Sequence, residues 1–410
     1  MKVFIGWDSR EDIAYQVCRE SLARNSSIEL NIKPIKQSDL REKNLYWREH
    51  DPLSSTEFSF TRFLTPYLAG YEGWALFMDC DFLWRGDVAG LMDYADPKYS
   101  VMCVQHKYKP KEETKMDGAA QHQYPRKNWS SLMLFNCAHP DTQQNLTPKT
   151  VNIATGMYLH RFRWTADENI GALPVAYNYL EGWHTKQDCP NPVAVHMTRG
   201  GPWFKDWQHV EYADEWLAIA REISTQQFYV TWENGFNSDQ IQKIIEIGES
   251  LELTNGTVNS LKEGKSLDNV RKVKVSWIEL NNNTGWLYDN LAYIARNLNG
   301  QFFNFDLSGF VEHFQYTVYT SDNNHYDWHV DHGTNEKISP RKLSLVLQLS
   351  DPSEYEGGEL ELMISSEPTK IKKEKGFICL FPSWTLHRVT PVTKGVRKTL
   401  VVWIAGPKFR

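Results

Sequence analysis

The apolar positions of this chain follow one rhythm in the first half and another in the second. Lys2 to Trp7, KVFIGW, is a continuous apolar run that predicts a buried strand, and DSREDIAYQVCRESLARNS after it repeats Ile13, Ala14, Val17 and Leu22 at helical spacing. ELNIKPIKQ predicts a second strand, SSTEFSFTRFLTPYLAGY a helix stopping before Gly73, and WALFM another strand. A helical pattern from Asp206 to Ile223 closes this half, so residues 1–223 read as an α/β domain. IQKIIEIGESL then reads as an amphipathic helix, KVSWIEL as a strand and LYDNLAYIARNLN as a second helix. Short strands divided by turn residues follow, and residues 231–410 read as a jelly-roll with flanking helices, a fold able to carry a metal site inside its barrel. The boundary falls within Ser224 to Thr231. Glu356-Gly357-Gly358-Glu359 supplies a tight hairpin turn.

Length agrees with that division, because 410 residues are too many for one ordinary core. A net charge of −6 and a pI near 6.1 leave no electrostatic footprint for wrapping nucleic acid. The 16 tryptophans read as core packing ahead of sugar-stacking surfaces. Six cysteines without a CxxC indicate neither a zinc site nor a disulfide framework, which fits the reduced cytoplasm. MKVFIGWDSRED has no apolar signal core, and no apolar run reaches the length of a membrane span. Gln105 to Asn128 is polar and reads either as a lid or acceptor-binding loop or as a solvated insertion; Thr254 to Ser266 reads as a mobile loop.

Two stretches carry chemistry. YTVYTSDNNHYDWHVD ends in His329-Val330-Asp331, and residues two apart on a strand share a face, so His329 and Asp331 can grip one ion. His387 lies 58 positions on and completes two imidazoles and one carboxylate, the set that suits non-haem Fe(II) with open positions. Arg397, ten residues later, offers a planar fork for a carboxylate such as the far end of 2-oxoglutarate. A lone His-x-Asp has a high false-positive rate; strand context, the distal His, the Arg and the Gly-Gly turn raise it together.

The second stretch is WALFMDCDFLWRGD, which places Asp79 and Asp81 directly after an apolar strand, with Cys80 turned the other way. Paired carboxylates form a hard-oxygen site for Mg(II) or Mn(II), and His196 at the end of PVAVH can complete it. Asp8, at the carboxyl end of the first strand, stands where open α/β sheets meet nucleotides; capping the following helix is the alternative.

Tyr319, Tyr326, His329, Asp331, RKLSLVLQLSDPSEYEGGELEL, His387, Arg397 and Trp403 resemble the Fe(II)/2-oxoglutarate dioxygenases of the prolyl-4-hydroxylase type, most closely the bacterial PKHD-type hydroxylases, over residues from about 228 to 410. The resemblance implies a double-stranded β-helix with iron on His329, Asp331 and His387. It also implies 2-oxoglutarate on Arg397 with Tyr319 near it, O2 as co-substrate and ascorbate as an accessory. Gln348 departs from the pattern, standing where some prolyl hydroxylases have a Tyr.

FIGWD, Thr61-Arg62-Phe63, Asp79-Cys80-Asp81, WSSLMLFN, ADENIGALPVAYN and His196 resemble the GT-A-fold glycosyltransferases of the glycogenin-like group, over residues 1 to about 222. That implies a Rossmann-like α/β fold, with Mn(II) or Mg(II) held by Asp79, Asp81 and His196 on the diphosphate of a UDP-sugar or other nucleotide-sugar. It also implies Arg62 and Asp8 near the donor, and Asp167 and Glu168 facing donor sugar and acceptor. Gly201 precedes Pro202 where that group carries a Lys, a contact that Arg199 or Lys205 can replace. The expected function is a fused hydroxylase and glycosyltransferase acting in series on a prolyl or lysyl side chain of a protein acceptor. The alternatives are the same activities on a glycan or lipid precursor, or one domain retained as a binding module.

Overall fold

The computed structural model describes residues 1–49, 56–107, 125–224, 227–256, 270–333, 338 and 340–407. Of the two loops expected from sequence, residues 108–124 and 257–266 lie outside the described residues. The chain divides into two compact units, Met1–Thr225 and Gln226–Arg410.

Unit 1 opens with β1 (Lys2–Gly6), α1 (Asp12–Arg24) and β2 (Asn31–Ile35), and continues through β3 (Trp74–Met78), β4 (Phe82–Trp84), β5 (Val101–Cys103) and β6 (Leu132–Asn136). β7 (Ile170–Ala172), β8 (Tyr179–Leu180), β9 (Ala194–His196) and α2 (Ala213–Ser224) follow, with shorter helical turns between the strands. The main sheet runs β2-β1-β3-β6-β5-β7, with β1 parallel to both neighbours and β6 antiparallel to both of its own. β6 is buried along its whole length, as expected of an unbroken apolar run covered on both faces. A small sheet, β4-β9-β8, sets Phe82 opposite His196. That pairing joins the end of β3 to the end of β9, far apart in sequence.

Two helices expected from sequence are shorter than their patterns. The TRFLTPYL stretch is a 3-10 turn, Thr61–Leu64, followed by one α-turn, Thr65–Leu68. Pro66 has no N–H to continue a helix through it and starts a new turn instead. The helix expected from Asp206 begins only at Ala213, because Tyr212 sits at φ 66°, a left-handed conformation no α-helix contains.

Unit 2 comprises β10 (Val230–Trp232), α3 (Ser238–Ser250), β11 (Thr254–Asn255), β12 (Arg271–Lys272), β13 (Lys274–Ile278), α4 (Gly285–Leu298), β14 (Phe314–Thr320) and β15 (His325–His329). It ends with β16 (Arg341–Gln348), β17 (Tyr355–Gly357), β18 (Leu360–Leu362), β19 (Thr369–Lys370), β20 (Ile378–Pro382), β21 (His387–Val389) and β22 (Val392–Ala405). A capping box between Asn237 and Gln240 starts α3, satisfying backbone donors that the first turn leaves open. The larger sheet runs β10-β20-β16-β22-β14-β13-β11 with β17 on β22; the smaller runs β12-β15-β21-β18-β19. Val275, Tyr319, Val346 and Cys379 from the larger sheet pack with Leu360, Leu362 and Val389 from the smaller, so the core of this jelly-roll lies between them.

The Gly-Gly turn does not close a hairpin. β17 pairs with β22 and β18 pairs with β21, so Gly357 and Gly358 form the corner where the chain leaves one sheet for the other. Gly357 lies at φ 74°, and a Cβ there would meet the Pro391 carbonyl oxygen at 2.1 Å. Gly357→Ala is therefore expected to cost roughly 2 kcal/mol or more through left-handed strain and the clash. The urea midpoint of unfolding checks this, and an unchanged midpoint would mean that the corner relaxes freely.

Candidate metal centres

In unit 2 the strand register brings the distal histidine to the His-x-Asp pair. His329 and His387 are direct cross-strand partners on β15 and β21, and Asp331 follows two residues on. Their ligand atoms all lie within 4.8 Å of one another, with His329 Nε2 3.7 Å from Asp331 Oδ1 and His387 Nε2 3.5 Å from Asp331 Oδ2. The Nδ1 atoms face the carbonyl oxygens of Asp327 and Thr385, at 2.7 and 2.9 Å. A carbonyl can only accept, so each Nδ1 carries the proton and each Nε2 turns a lone pair inward. Burial lowers the pKa of His329 and keeps the ring neutral, and His387 adds to the effect. Burial alone would raise Asp331, but His387, His329, Arg341 and a hydrogen bond from Ser344 outweigh it and keep the carboxylate ionised. Two imidazoles with Nε2 turned inward and one carboxylate fit a divalent transition metal with positions left open.

Neighbouring side chains hold this set in place. Ser344 Oγ donates to Asp331 Oδ2 at 2.7 Å, Tyr326 stacks on the His329 ring at 3.4 Å, and the Arg271 guanidinium lies over the Tyr326 ring, 4.5 Å from its centroid. Arg341 is paired with Glu312 through both nitrogens at 2.6 and 2.7 Å, and one further N–H reaches the Asp331 carbonyl. One cavity takes in the triad, Tyr319 and Arg397. Arg397 is fully buried and stands across the ladder from Tyr319. Gln348 Oε1 accepts from an Arg397 N–H at 3.2 Å, so the residue that departs from the prolyl-hydroxylase pattern holds the guanidinium. Burial raises the Tyr319 pKa against the lowering pull of Arg397, so the phenol keeps its proton and can donate it to an anion.

In unit 1, Asp79, Asp81 and His196 likewise bring their ligand atoms within 4.8 Å. The β4–β9 pairing delivers His196, whose ring stacks on Phe82 at 4.5 Å and whose Nε2 lies 3.2 Å from Asp81 Oδ1. Asn178, fully buried, accepts at Oδ1 from His196 Nδ1 at 3.1 Å and donates from Nδ2 to Ser131 Oγ, so the His196 Nε2 lone pair is left to ligate. Arg62 reaches Asp79 at 2.7 Å and the Ser130 carbonyl at 2.8 Å. Two carboxylates and an imidazole suit a Mn(II)-like ion. Removing the amide in Asn178→Ala is expected to weaken Mn(II) binding about 10–100-fold. Calorimetric titration with MnCl2 reads that change, and unaltered affinity would show that the ring is oriented without Asn178.

The other expected site residues are not members of these two ligand sets. Asp8 caps the 3-10 turn Ser9–Glu11 that precedes α1. Its buried carboxylate accepts from Arg10 N, Nε and a terminal nitrogen and from Glu57 N at 2.6–3.1 Å. Asp167 and Glu168 form the 3-10 turn before β7, where Asp167 pairs with Arg126 at 2.6 Å. Arg199 is paired with Glu181 at 3.0 Å, and the side chain of Lys205 lies outside the described residues. Sequence reading missed Ser344, Asn178 and the Arg341–Glu312 pair. Ser344 left one signal, a hydroxyl inside the apolar strand RKLSLVLQL.

Residues 314–405 match the 2OG-Fe(II) oxygenase superfamily. The chain is 57% identical to Protein CDI of Arabidopsis thaliana over 228 residues, 55% of this chain and 88% of that protein. It is 46% identical to a PKHD-type hydroxylase of Prochlorococcus marinus over 87 residues, 21% of this chain and 38% of the hydroxylase, so it spans well under half the length of that relative. Among solved structures it is similar to a prolyl hydroxylase from Trichoplax adhaerens, in complex with a hypoxia inducible factor peptide fragment. That similarity has a TM-score of 0.39 and 18% identity, and covers 46% of this chain and 92% of the other. Among the described residues no helix is long and apolar enough to cross a membrane. The chain belongs to the family of Protein CDI, and residues 314–405 of its second unit match the 2OG-Fe(II) oxygenase superfamily.

Proposed function

We propose that the chain is a bifunctional enzyme: unit 2 hydroxylates a prolyl or lysyl side chain of a protein acceptor, and unit 1, a GT-A-type domain, transfers a sugar onto the product. One observation carries the reading. Each unit holds its own convergent ligand set, His329, Asp331 and His387 in one and Asp79, Asp81 and His196 in the other.

In unit 2, His329, Asp331 and His387 would hold iron, which with 2-oxoglutarate and O2 supplies the oxidant for a C–H bond. Arg397 would anchor the distal carboxylate of 2-oxoglutarate, with Gln348 fixing the guanidinium and the Tyr319 hydroxyl adding a donor. Ser344 and the Tyr326 stack keep Asp331 and His329 from turning as substrate enters. In unit 1, Asp79, Asp81 and His196 would hold Mn(II) or Mg(II), which offsets charge on the departing nucleoside diphosphate. Arg62 keeps Asp79 aimed at that site. Asp167 and Glu168, on the exposed turn before β7, are the carboxylates proposed to face donor sugar and acceptor.

A test is mass spectrometry of proline- and lysine-containing peptides incubated with the whole protein, Fe(II), 2-oxoglutarate, ascorbate, Mn(II) and a panel of nucleotide-sugars. Oxygen addition is expected first, and sugar addition only on oxidised peptides. Oxidation of glycans or lipid precursors in place of peptides would move the substrate to that class. Oxidation with no sugar transfer to anything would leave unit 1 a binding module.

A further inference from the structure

Two hydroxyls sit deep in unit 2 among apolar strand residues. Ser344 and Ser383 are both fully buried, and Leu343, Leu345 and Phe381 beside them are buried hydrocarbon. A hydroxyl taken out of water costs free energy unless a hydrogen bond offsets the loss, so what each of them bonds to shows its use. Ser344 has one proton to give, and its 2.7 Å bond to Asp331 Oδ2 takes it, because an ionised carboxylate only accepts. The two Oγ atoms lie 3.0 Å apart, so in that contact Ser383 is the donor and Ser344 the acceptor. The protons run one way, from Ser383 to Ser344 to the carboxylate.

The backbone of Ser383 closes on the same aspartate. Its carbonyl oxygen accepts from Asp331 N and His332 N, each at 2.9 Å, and its own N–H donates to the Lys342 carbonyl at 2.9 Å. Ser383 directly follows β20, which pairs with β16, the strand that carries Ser344. The same turn serves the distal histidine: Thr385 N donates to the Pro382 carbonyl at 2.8 Å, and the Thr385 carbonyl faces His387 Nδ1 at 2.9 Å. Two of the three ligand side chains are thus aimed from one turn that contributes no ligand itself.

We propose that Ser383 is a positioning residue for the metal centre of unit 2, holding Asp331 toward His329 and His387 through its carbonyl on the backbone side and through Ser344 on the carboxylate side. The inference rests on the reading of His329, Asp331 and His387 as a metal site. Hydrogen bonds in a chain polarise one another, so the bond that Ser344 accepts strengthens the one it gives and fixes its hydroxyl rotor. A carboxylate already held in place has less freedom to lose when an ion arrives, and metal affinity is where the effect shows.

Electron paramagnetic resonance during Mn(II) titration of the full chain, in an Asp81→Ala background that breaks the unit 1 ligand set, reads the unit 2 centre by itself. Ser344→Ala is expected to weaken Mn(II) binding about thirtyfold and Ser383→Ala about tenfold, the range for groups that orient metal ligands. The combined variant should bind no more weakly than Ser344→Ala, since without Ser344 the Ser383 hydroxyl has no path to the carboxylate. A general loosening of the turn would instead multiply the two losses to about three hundredfold. Each change removes a single oxygen, and melting curves report that the variants are folded. Unchanged affinity in Ser383→Ala, or multiplied losses in the combined variant, would overturn the assignment and leave the metal site standing. An Asp81→Ala protein that binds no Mn(II) would overturn the metal reading of unit 2 and this inference with it.

Discussion

His329→Ala is expected to lower 2-oxoglutarate-dependent succinate formation by roughly a thousandfold, which corresponds to the loss of about 4 kcal/mol of metal-supplied stabilisation. The alanine removes one of three ligands and also the ring on which Tyr326 stacks. Backbone pairing between β15 and β21 does not need the side chain, so the jelly-roll should survive. Far-ultraviolet circular dichroism and the melting curve separate loss of iron from loss of fold. Nucleotide release by unit 1 should be unchanged, because none of its ligands belongs to this cluster. Residual succinate at a tenth of the wild-type rate would show that His329 is not a ligand.

Asp81→Ala should do the converse. Asp79 remains engaged by Arg62, and His196 stays on Asn178, so two of the three ligand side chains keep their supports. The lost carboxylate is the one His196 Nε2 faces at 3.2 Å. Mn(II)-dependent release of nucleoside diphosphate from a nucleotide-sugar is expected to fall about a hundredfold or more, and succinate formation to stay at the wild-type rate. Asp81→Asn separates charge from shape, since it keeps the size and one oxygen but lowers the site's negative charge. If Asp81→Asn releases nucleotide as fast as wild type, charge at position 81 is not what holds the ion.

The two ligand sets were legible in sequence because each rests on a local rule joined to one distant residue. Strand periodicity placed His329 beside Asp331, and an apolar lead-in placed Asp79 and Asp81 at a strand end. His387 and His196 were legible only as residue types at the ends of apolar runs. What seats them is the register of β15 with β21 and of β4 with β9, which no spacing rule supplies. Asn178 and Ser344 escaped notice for the same reason: single polar residues whose meaning comes from neighbours remote in sequence. The Gly-Gly corner had its turn chemistry read correctly and its connectivity wrongly, because glycine reports backbone freedom and not which strands pair afterwards. The two shortened helices failed through backbone, a proline in one and a left-handed tyrosine before the other.

Two separate ligand sets predict two separate metal centres. Electron paramagnetic resonance during Mn(II) titration counts bound ions directly, since Mn(II) also occupies sites built from two imidazoles and a carboxylate. Wild-type protein is predicted to bind two ions, one per ligand set, with one remaining in His329→Ala, one in Asp81→Ala and none when both changes are combined. A single ion in the wild type, or loss of both ions in either single variant, would contradict the account.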